Sequence, residues 1–222
     1  MVVITLTAAL CSYYVWHWWR ADSMGNRDGK AAFPWMPIGV VLLIGAVADT
    51  PERRVRTMER DTSVAMSRLL GQPVTYECGN LWSLFFDRHG HMARGYVMWT
   101  EHGPDTVAQL RRDSCQGLAE FFKQRQKGLP DNPRPMVEAL HVVSHEARHL
   151  AGEHREDKAE CQAVQRNFEV AEALGASRDV ARSIALFYWN EQYPHQSQTY
   201  FSPECRSGGA LDEKISTAPW RL

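Results

Sequence analysis

The chain has 222 residues, of which 44% are hydrophobic and 23% are charged, and its formal net charge is −1. This length is enough for one soluble domain with an additional segment, and the composition is ordinary for a globular protein. The near-neutral charge gives no basis for binding a polyanion, so we expect no nucleic-acid partner.

Two uncharged apolar stretches open the chain, at residues 1–19 and 31–48. The second has about the length that spans a bilayer, and from Met24 it also reads as a signal peptide with an A-x-A cleavage site. A cleaved signal, an uncleaved anchor and a membrane hairpin are all open, whereas prolines and glycines disfavour a core helix. We therefore predict a membrane anchor or signal region at 1–48. The predicted domain at 49–222 is extracytoplasmic, either anchored to the membrane or secreted after cleavage.

The cysteine pattern supports that location. Four cysteines follow the apolar stretches: Cys78, Cys115, Cys161 and Cys205. An even number, widely spaced and without a CxxC pair, suits two disulfides in an oxidising compartment better than a structural metal site. Three pairings are possible, and proximity in sequence favours Cys78 with Cys115 and Cys161 with Cys205. Four buried free thiols in a cytosolic protein are the alternative.

The first half of the domain mixes helical and strand patterns. Helical spacing over residues 51–71 is followed by strand-like alternation over 73–78. Aromatic, β-prone segments at 82–86 and 96–99 predict a small hairpin or sheet. From residue 105 to about 127 the apolar spacing is helical again.

Helices dominate the second half, after a proline-rich break. Three are predicted, at residues 136–151, 156–174 and 178–191. Gly152 and Gly175 mark the ends of the first two, and the tail from Tyr193 onward is irregular. The fold class is therefore α+β and mainly helical, with a small β-hairpin or sheet.

The strongest chemical signal is the run His145-Glu146-Ala147-Arg148-His149. On a helix the two histidines lie one turn apart on one face, which is the spacing at which two imidazoles share a zinc ion. Glu146 is placed to contact water on the metal instead of the metal itself. An apolar stripe lies roughly opposite the histidines and predicts that this side packs in the core. The stripe consists of Leu140, Val143, Ala147 and Leu150. Two surface histidines beside a solvated glutamate are the alternative.

The next helix offers two carboxylates one turn apart, Glu156 and Glu160. Because the glycine turn between the two helices is short, we expect antiparallel packing. That packing brings Glu156 toward His149 and Glu160 toward His145. For His141, one turn before His145, two interpretations are open: it stacks beside the site, or it is only a packed or solvated neighbour, which is the more common case.

The HEARH run followed by Glu156 and Glu160 resembles the zincin metallopeptidases of the gluzincin type. These carry HExxH and then, on the next helix, a ligand Glu followed four residues later by an acidic or amide residue. The resemblance implies a zincin-like helical active-site subdomain in which His145, His149 and Glu156 bind Zn²⁺. It also implies Glu146 as the general base and Glu160 as the carboxylate that supports His145. The implied reaction is hydrolysis of a peptide or protein substrate.

The resemblance covers residues 145–160 and has departures within that run. The gap between the second histidine and Glu156 is shorter than in most gluzincins. Gly152 stands where metzincins place a turn glycine, but Arg155 occupies their third ligand position and cannot bind a metal. The candidates for the third ligand are Glu156, Glu160 and His154. More loosely, the apolar N-terminus, the HExxH run, an Ala-Glu-Cys and a late Cys-x-x-Gly-Gly resemble uncharacterised membrane-anchored actinobacterial HExxH proteins, which implies no activity.

Two functions from different classes follow from these residues. The first is a membrane-tethered or secreted zinc endopeptidase, which also needs a donor for the developing oxyanion. The candidate donors are Tyr193 and His195, together with Tyr188 and Tyr200. The alternative for each of them is an exposed aromatic side chain or a surface histidine in a loop. The second function is a non-catalytic extracytoplasmic binding domain that zinc and disulfides stabilise. A glutamate directly after the first histidine has no use in a structural site, which favours the enzyme. Hydrolysis of a non-peptide bond by zinc, as in deformylase-like enzymes, is a third option. Those enzymes pair HExxH with an upstream cysteine motif, which this sequence lacks.

Overall fold

The structure is a computed structural model that describes residues 2–23, 35–79 and 94–222. The chain divides into two compact units, Met1–Arg56 and Thr57–Leu222. Every candidate site residue belongs to the second unit. The β-prone segment predicted at 82–86 lies outside the described residues.

The first unit contains helix α1 (Val2–Ser23) and the beginning of helix α2 (Trp35–Leu70). Large apolar and aromatic side chains of α1 are exposed, among them Leu6, Leu10, Tyr13, Trp16 and Trp19. In the part of the chain that the structure describes, no helix combines the length and the apolar character needed to cross a membrane.

The second unit begins with the end of α2, which lies along strand β1 (Thr75–Cys78). Three side chains spaced four residues apart on α2 accept hydrogen bonds from alternate backbone N–H groups of the adjoining segment. These bonds are Val74 N–H to Ser67 Oγ (3.0 Å), Tyr76 N–H to Ser63 Oγ (2.9 Å) and Cys78 N–H to Glu59 Oε1 (2.7 Å). One turn of the helix advances about as far as two residues of the strand, so successive turns of α2 meet alternate N–H groups of the adjoining segment. The side chains of α2 thus provide hydrogen-bond acceptors along this edge of the sheet.

The described sheet has three strands in the order β1-β3-β2, with β2 at Gly95–Thr100 and β3 at Gly103–Leu110. β3 pairs in parallel with β1 and antiparallel with β2. The helix predicted to begin at residue 105 is therefore wrong in its first part. The apolar residues there fit both the helical period and the strand period. This segment forms a strand because it pairs with another strand on each side.

Four helices follow, and α4 is the central one. They are α3 (Arg112–Gln124), α4 (Arg134–Leu150), α5 (Glu156–Ala173) and α6 (Arg178–Phe187). The helices predicted at 136–151, 156–174 and 178–191 are confirmed, although the last ends in a π-helical turn at Tyr188–Gln192. Gly152 and Gly175 have φ angles of +96° and +87°, the left-handed conformation that glycine adopts without strain after a helix end.

The apolar stripe of α4 is buried as predicted, and all four of its residues are at most 3% exposed. The opposite side is also enclosed, because α4 packs against α3, α5 and the sheet. The observed fold is mainly helical with a small sheet, which agrees with the predicted α+β class.

Two disulfides tie the loops of the second unit to its helices. Cys78 at the end of β1 bonds to Cys115 on α3, and Cys161 on α5 bonds to Cys205 in the C-terminal tail. The pairing favoured by proximity in sequence is therefore confirmed. The second bond attaches the tail next to Glu160.

Candidate metal centre

The two histidines of the HEARH run converge with Glu156. Helices α4 and α5 pack antiparallel after the Gly152 turn, which places His145 and His149 opposite the first turn of α5. The Nε2 atoms of His145 and His149 are 3.0 Å apart. The Glu156 Oε2 atom lies 3.1 Å from Nε2 of His145 and 3.4 Å from Nε2 of His149. Three ligand atoms therefore form a nearly equilateral triangle.

The outer nitrogens of both rings are occupied as donors. His149 Nδ1 lies 2.7 Å from the backbone carbonyl of Glu153, which can only accept a hydrogen bond. His145 Nδ1 lies 3.0 Å from the Glu160 carboxylate, another acceptor. In the neutral rings both Nε2 atoms consequently carry lone pairs, and these face each other and a carboxylate. Such a group repels itself unless a cation lies between its members, so His145, His149 and Glu156 can hold a metal ion.

The electrostatics of the cluster favour a positive charge at its centre. Burial opposes protonation of His145, but hydrogen bonds with Glu156 and Glu160 outweigh it and raise the His145 pKa to about 10. Hydrogen bonds with His145 and His149 lower the pKa of Glu156 to about 2. Without a metal the cluster attracts a proton, and a metal ion satisfies the same requirement.

Glu160 lies behind His145 and is surrounded by donors. Its Oε2 accepts hydrogen bonds from His145 Nδ1 (3.0 Å) and His141 Nε2 (2.9 Å), and its Oε1 accepts one from the Tyr188 hydroxyl (2.6 Å). Burial opposes its ionisation, yet His141 and His145 hold the Glu160 pKa well below its usual value. The carboxylate fixes the ring orientation and tautomer of His145.

His141 is more than a packed neighbour. Its ring stacks on Tyr188, with ring centres 3.6 Å apart, and its Nδ1 is paired with Asn167. His141, His145 and Glu160 form a second group that can hold a metal ion. All three are buried, however, and Glu160 already accepts three hydrogen bonds. The side chain of Glu156 is 40% exposed, so the His149–Glu156 side of the centre is the open one.

Glu146 has the properties of a buried base. It is 3% exposed, and its Oε2 has no hydrogen-bond partner in the described part of the chain. Burial raises its pKa to about 7, although His145 and His149 act to lower it. A methyl group at Gly95 would lie 2.8 Å from Glu146 Oε1. The carboxylate therefore occupies space that the absence of a side chain at the start of β2 provides.

A cleft of about 520 Å³ opens onto these residues. It runs along α4 and β2 and is lined by Glu146 and by the members of both ligand groups. At one end Arg94 and Arg134 flank Glu138. At the other end His154 packs against Trp99, with ring centres 4.7 Å apart, and belongs to neither ligand group.

The two predicted oxyanion donors are placed differently. His195 lines the cleft, whereas Tyr193 does not. The Tyr193 hydroxyl donates to the carbonyl of Ser202 and accepts from its N–H, both at 3.0 Å, so it closes a turn of the tail. Tyr200 lines the cleft, and its ring centre is 5.8 Å from that of His145. Of the predicted donors, His195 and Tyr200 therefore line the cleft, whereas the Tyr193 hydroxyl is engaged within the tail.

Comparison of the chain with family models, curated proteins and solved structures finds no match to any of them. The resemblance to zincins is therefore carried by the HEARH run, Glu156 and Glu160 alone.

Proposed function

We propose that the protein is a zinc-dependent peptidase. One observation carries the proposal: His145, His149 and Glu156 direct three metal-binding atoms at one point on the wall of a cleft, beside the unpaired carboxylate of Glu146. This combination of a three-ligand centre and a neighbouring base is what metal-assisted hydrolysis requires.

Zinc fits this ligand set. Tetrahedral zinc with bonds of about 2.0–2.1 Å holds its ligand atoms roughly 3.3–3.4 Å from one another. The three separations here are 3.0, 3.1 and 3.4 Å, so a small adjustment of the side chains suffices. Two imidazoles and one carboxylate are also a typical set for catalytic zinc. When bound, zinc supplies a Lewis acid and lowers the pKa of water toward about 7.

Glu146 is proposed to move the proton. Its unpaired Oε2 and its pKa of about 7 suit a group that accepts a proton from attacking water and delivers it to the leaving amine. Glu160 keeps the Nδ1 proton on His145 and so leaves Nε2 free for the metal. His195 and Tyr200 are the proposed donors to the oxyanion.

A peptide is the proposed substrate because of the element that forms one wall of the cleft. Gly95, Tyr96, Val97 and Trp99 of β2 line it, and β2 is an edge strand of the described sheet. An extended peptide can add to such an edge through main-chain hydrogen bonds. The two disulfides favour an extracytoplasmic location, where we propose that the enzyme acts.

The non-catalytic binding domain is less well supported. A structural zinc site is usually closed by four protein ligands, whereas the open group here has three. A structural role also leaves the buried, unpaired Oε2 of Glu146 without a purpose, although such an atom destabilises the fold.

The test uses the full chain and two matched pairs of variants. We expect about one zinc per chain, lost in His145→Ala and kept in His102→Ala, since His102 is an exposed histidine on the β2–β3 turn. Glu146→Gln should keep the zinc and abolish cleavage of a peptide library. Glu172→Gln, at an exposed position near the end of α5, should cleave normally. A Glu146→Gln variant that cleaves like the wild type would refute the peptidase, and a wild type without zinc would refute the centre.

A further inference from the structure

Gln192 is a buried amide for which the described residues provide no hydrogen-bond partner. It ends the π-helical turn Tyr188–Gln192, is 4% exposed, and lines the cleft. Neither its Oε1 nor its Nε2 has a hydrogen-bond partner in the described residues. Buried polar groups are almost always paired, so an amide with both ends unpaired calls for a partner that binds from outside the chain.

The other buried amides of the second unit show the contrast. Gln165 donates from Nε2 to the carbonyl of Leu211 (2.9 Å) and to that of Cys161 (3.1 Å), and its Oε1 accepts from the N–H of Glu213 (2.9 Å). Asn167 is paired with His141. Gln165 and Gln192 are the same residue type and are both at least 96% buried. Only the one beside the cleft lacks partners.

The position of Gln192 connects it to the metal centre. It follows Tyr188 by four residues, and Tyr188 stacks on His141 and donates to Glu160, which holds His145. A π-helical turn of this kind is often found at functional sites. Gln196, the next amide along the tail that lines the cleft, already donates to the Tyr188 hydroxyl at 2.9 Å.

The chemistry of the side chain identifies its partner. A glutamine amide offers an acceptor and donors side by side. In an extended peptide the N–H and the C=O of one residue point to the same side, so they offer the complementary donor and acceptor. Both terminal atoms of Gln192 are closed to solvent in the free protein, so the amide has to turn to meet a bound group. The terminal torsion of glutamine is broad, so the torsion itself opposes this turn little. A peptide that lies in the cleft brings main-chain amides past this wall.

We propose that Gln192 binds the main-chain N–H and C=O of one residue of the peptide substrate. The inference rests on the proposed function, since it takes the cleft to be a peptide site. It assigns Gln192 to substrate binding and leaves metal binding and proton transfer to the residues already named. The unpaired amide then reduces the stability of the free protein and contributes to the affinity for the peptide.

The experiment compares Gln192→Met with Gln165→Met in the zinc-loaded full chain. Methionine keeps the length of the side chain and removes the amide. The probes are acetohydroxamate, which chelates only the metal, and N-acetyl-trialanyl hydroxamate, which adds three peptide groups. Thermal unfolding, zinc content and the Kd of each probe are measured.

For Gln192→Met we expect an unchanged or higher Tm, unchanged zinc and unchanged affinity for acetohydroxamate. Affinity for the peptide hydroxamate should fall about 10-fold, as two hydrogen bonds are lost. Gln165→Met should lower Tm by roughly 5 °C, because its partners lose their bonds.

Three results overturn the inference. A Tm loss in Gln192→Met equal to that of Gln165→Met would mean that the amide is structural. An unchanged Kd for the peptide hydroxamate would mean that the amide does not contact the peptide, and an equal loss for both probes would assign it to the metal centre. A fourth outcome concerns the proposed function itself. If the wild type binds neither probe, the zinc centre is refuted, and the inference about Gln192, which depends on it, is refuted as well.

Discussion

Replacing Gly95 by alanine tests whether the position of the Glu146 carboxylate matters for catalysis. An added Cβ would lie 2.8 Å from Glu146 Oε1 and 2.8 Å from Val142 Cγ1. Ordinary van der Waals contact begins at 3.4 Å, so the carboxylate or the strand must move by about 0.6 Å. A displacement of about 1 Å in a catalytic group can lower the rate about 100-fold. We expect kcat/KM to fall roughly 10- to 100-fold.

The assay measures peptide cleavage, zinc content and Tm for Gly95→Ala beside Gly39→Ala. A Cβ at Gly39 would meet nothing within 4 Å, so this control should behave like the wild type. In Gly95→Ala the zinc should stay bound, because the three atoms nearest to the new methyl group belong to Glu146 and Val142, and neither residue is a proposed ligand. Overpacking should cost about 1–3 kcal/mol of stability. Cleavage at the wild-type rate, with the zinc retained, would refute the reasoning.

Four further predictions follow from the same contacts. Gly117→Ala should lower the free energy of unfolding by about 3 kcal/mol or more, since its Cβ would lie 2.2 Å from the carbonyl oxygen of Pro135 and force α3 from α4; a Tm like that of the wild type would contradict this. Replacing Cys161 and Cys205 by alanine should cost about 4 kcal/mol in denaturant unfolding, from the closure entropy of a loop with a sequence separation of 44; a loss under about 1 kcal/mol would show that the tail is held by its other contacts. Glu160→Gln should weaken zinc binding about 10- to 100-fold in chelator competition, because it alters the hydrogen bond that orients His145; unchanged affinity would exclude that role. Free zinc at about 100 times its Kd should stabilise the folded protein by about 2.7 kcal/mol and raise Tm, and a chelator should reverse the gain; a Tm indifferent to zinc would refute the centre.

Much of the second unit is predictable from local patterns. The helices from Arg134 onward have clear apolar spacing, and Gly152 and Gly175 stand at their ends. The disulfide pairing is the one that proximity in sequence favours, although the sequence alone leaves all three pairings open. Strand β3 is not predictable in this way, because its apolar residues suit two periods and only β1 and β2 on its two sides select one.

Two features of the site have no local signal. Gly95 leaves space for the Glu146 carboxylate because β2 approaches α4 closely at this point. The residues around position 95 in the sequence do not indicate this contact. The unpaired amide of Gln192 is likewise invisible in the sequence, since Gln165 has the same type and nearly the same burial but has all its partners. Hydrogen bonding between distant segments decides both cases.

The HEARH run and the residues after it indicate by themselves two histidines at ligand spacing, a neighbouring glutamate and three candidates for the third ligand, because helical spacing places side chains on known faces. The three candidates are Glu156, Glu160 and His154. Only the tertiary structure shows how the surroundings of the two carboxylates differ, and it places His154 in neither group that can hold a metal. The antiparallel packing of α4 and α5 directs Glu156 to the open side of both imidazoles and surrounds Glu160 with donors behind His145. The physical reason is that a metal site requires ligand atoms about 3 Å from one another. When those atoms belong to different helices, only the packing of the helices sets such distances.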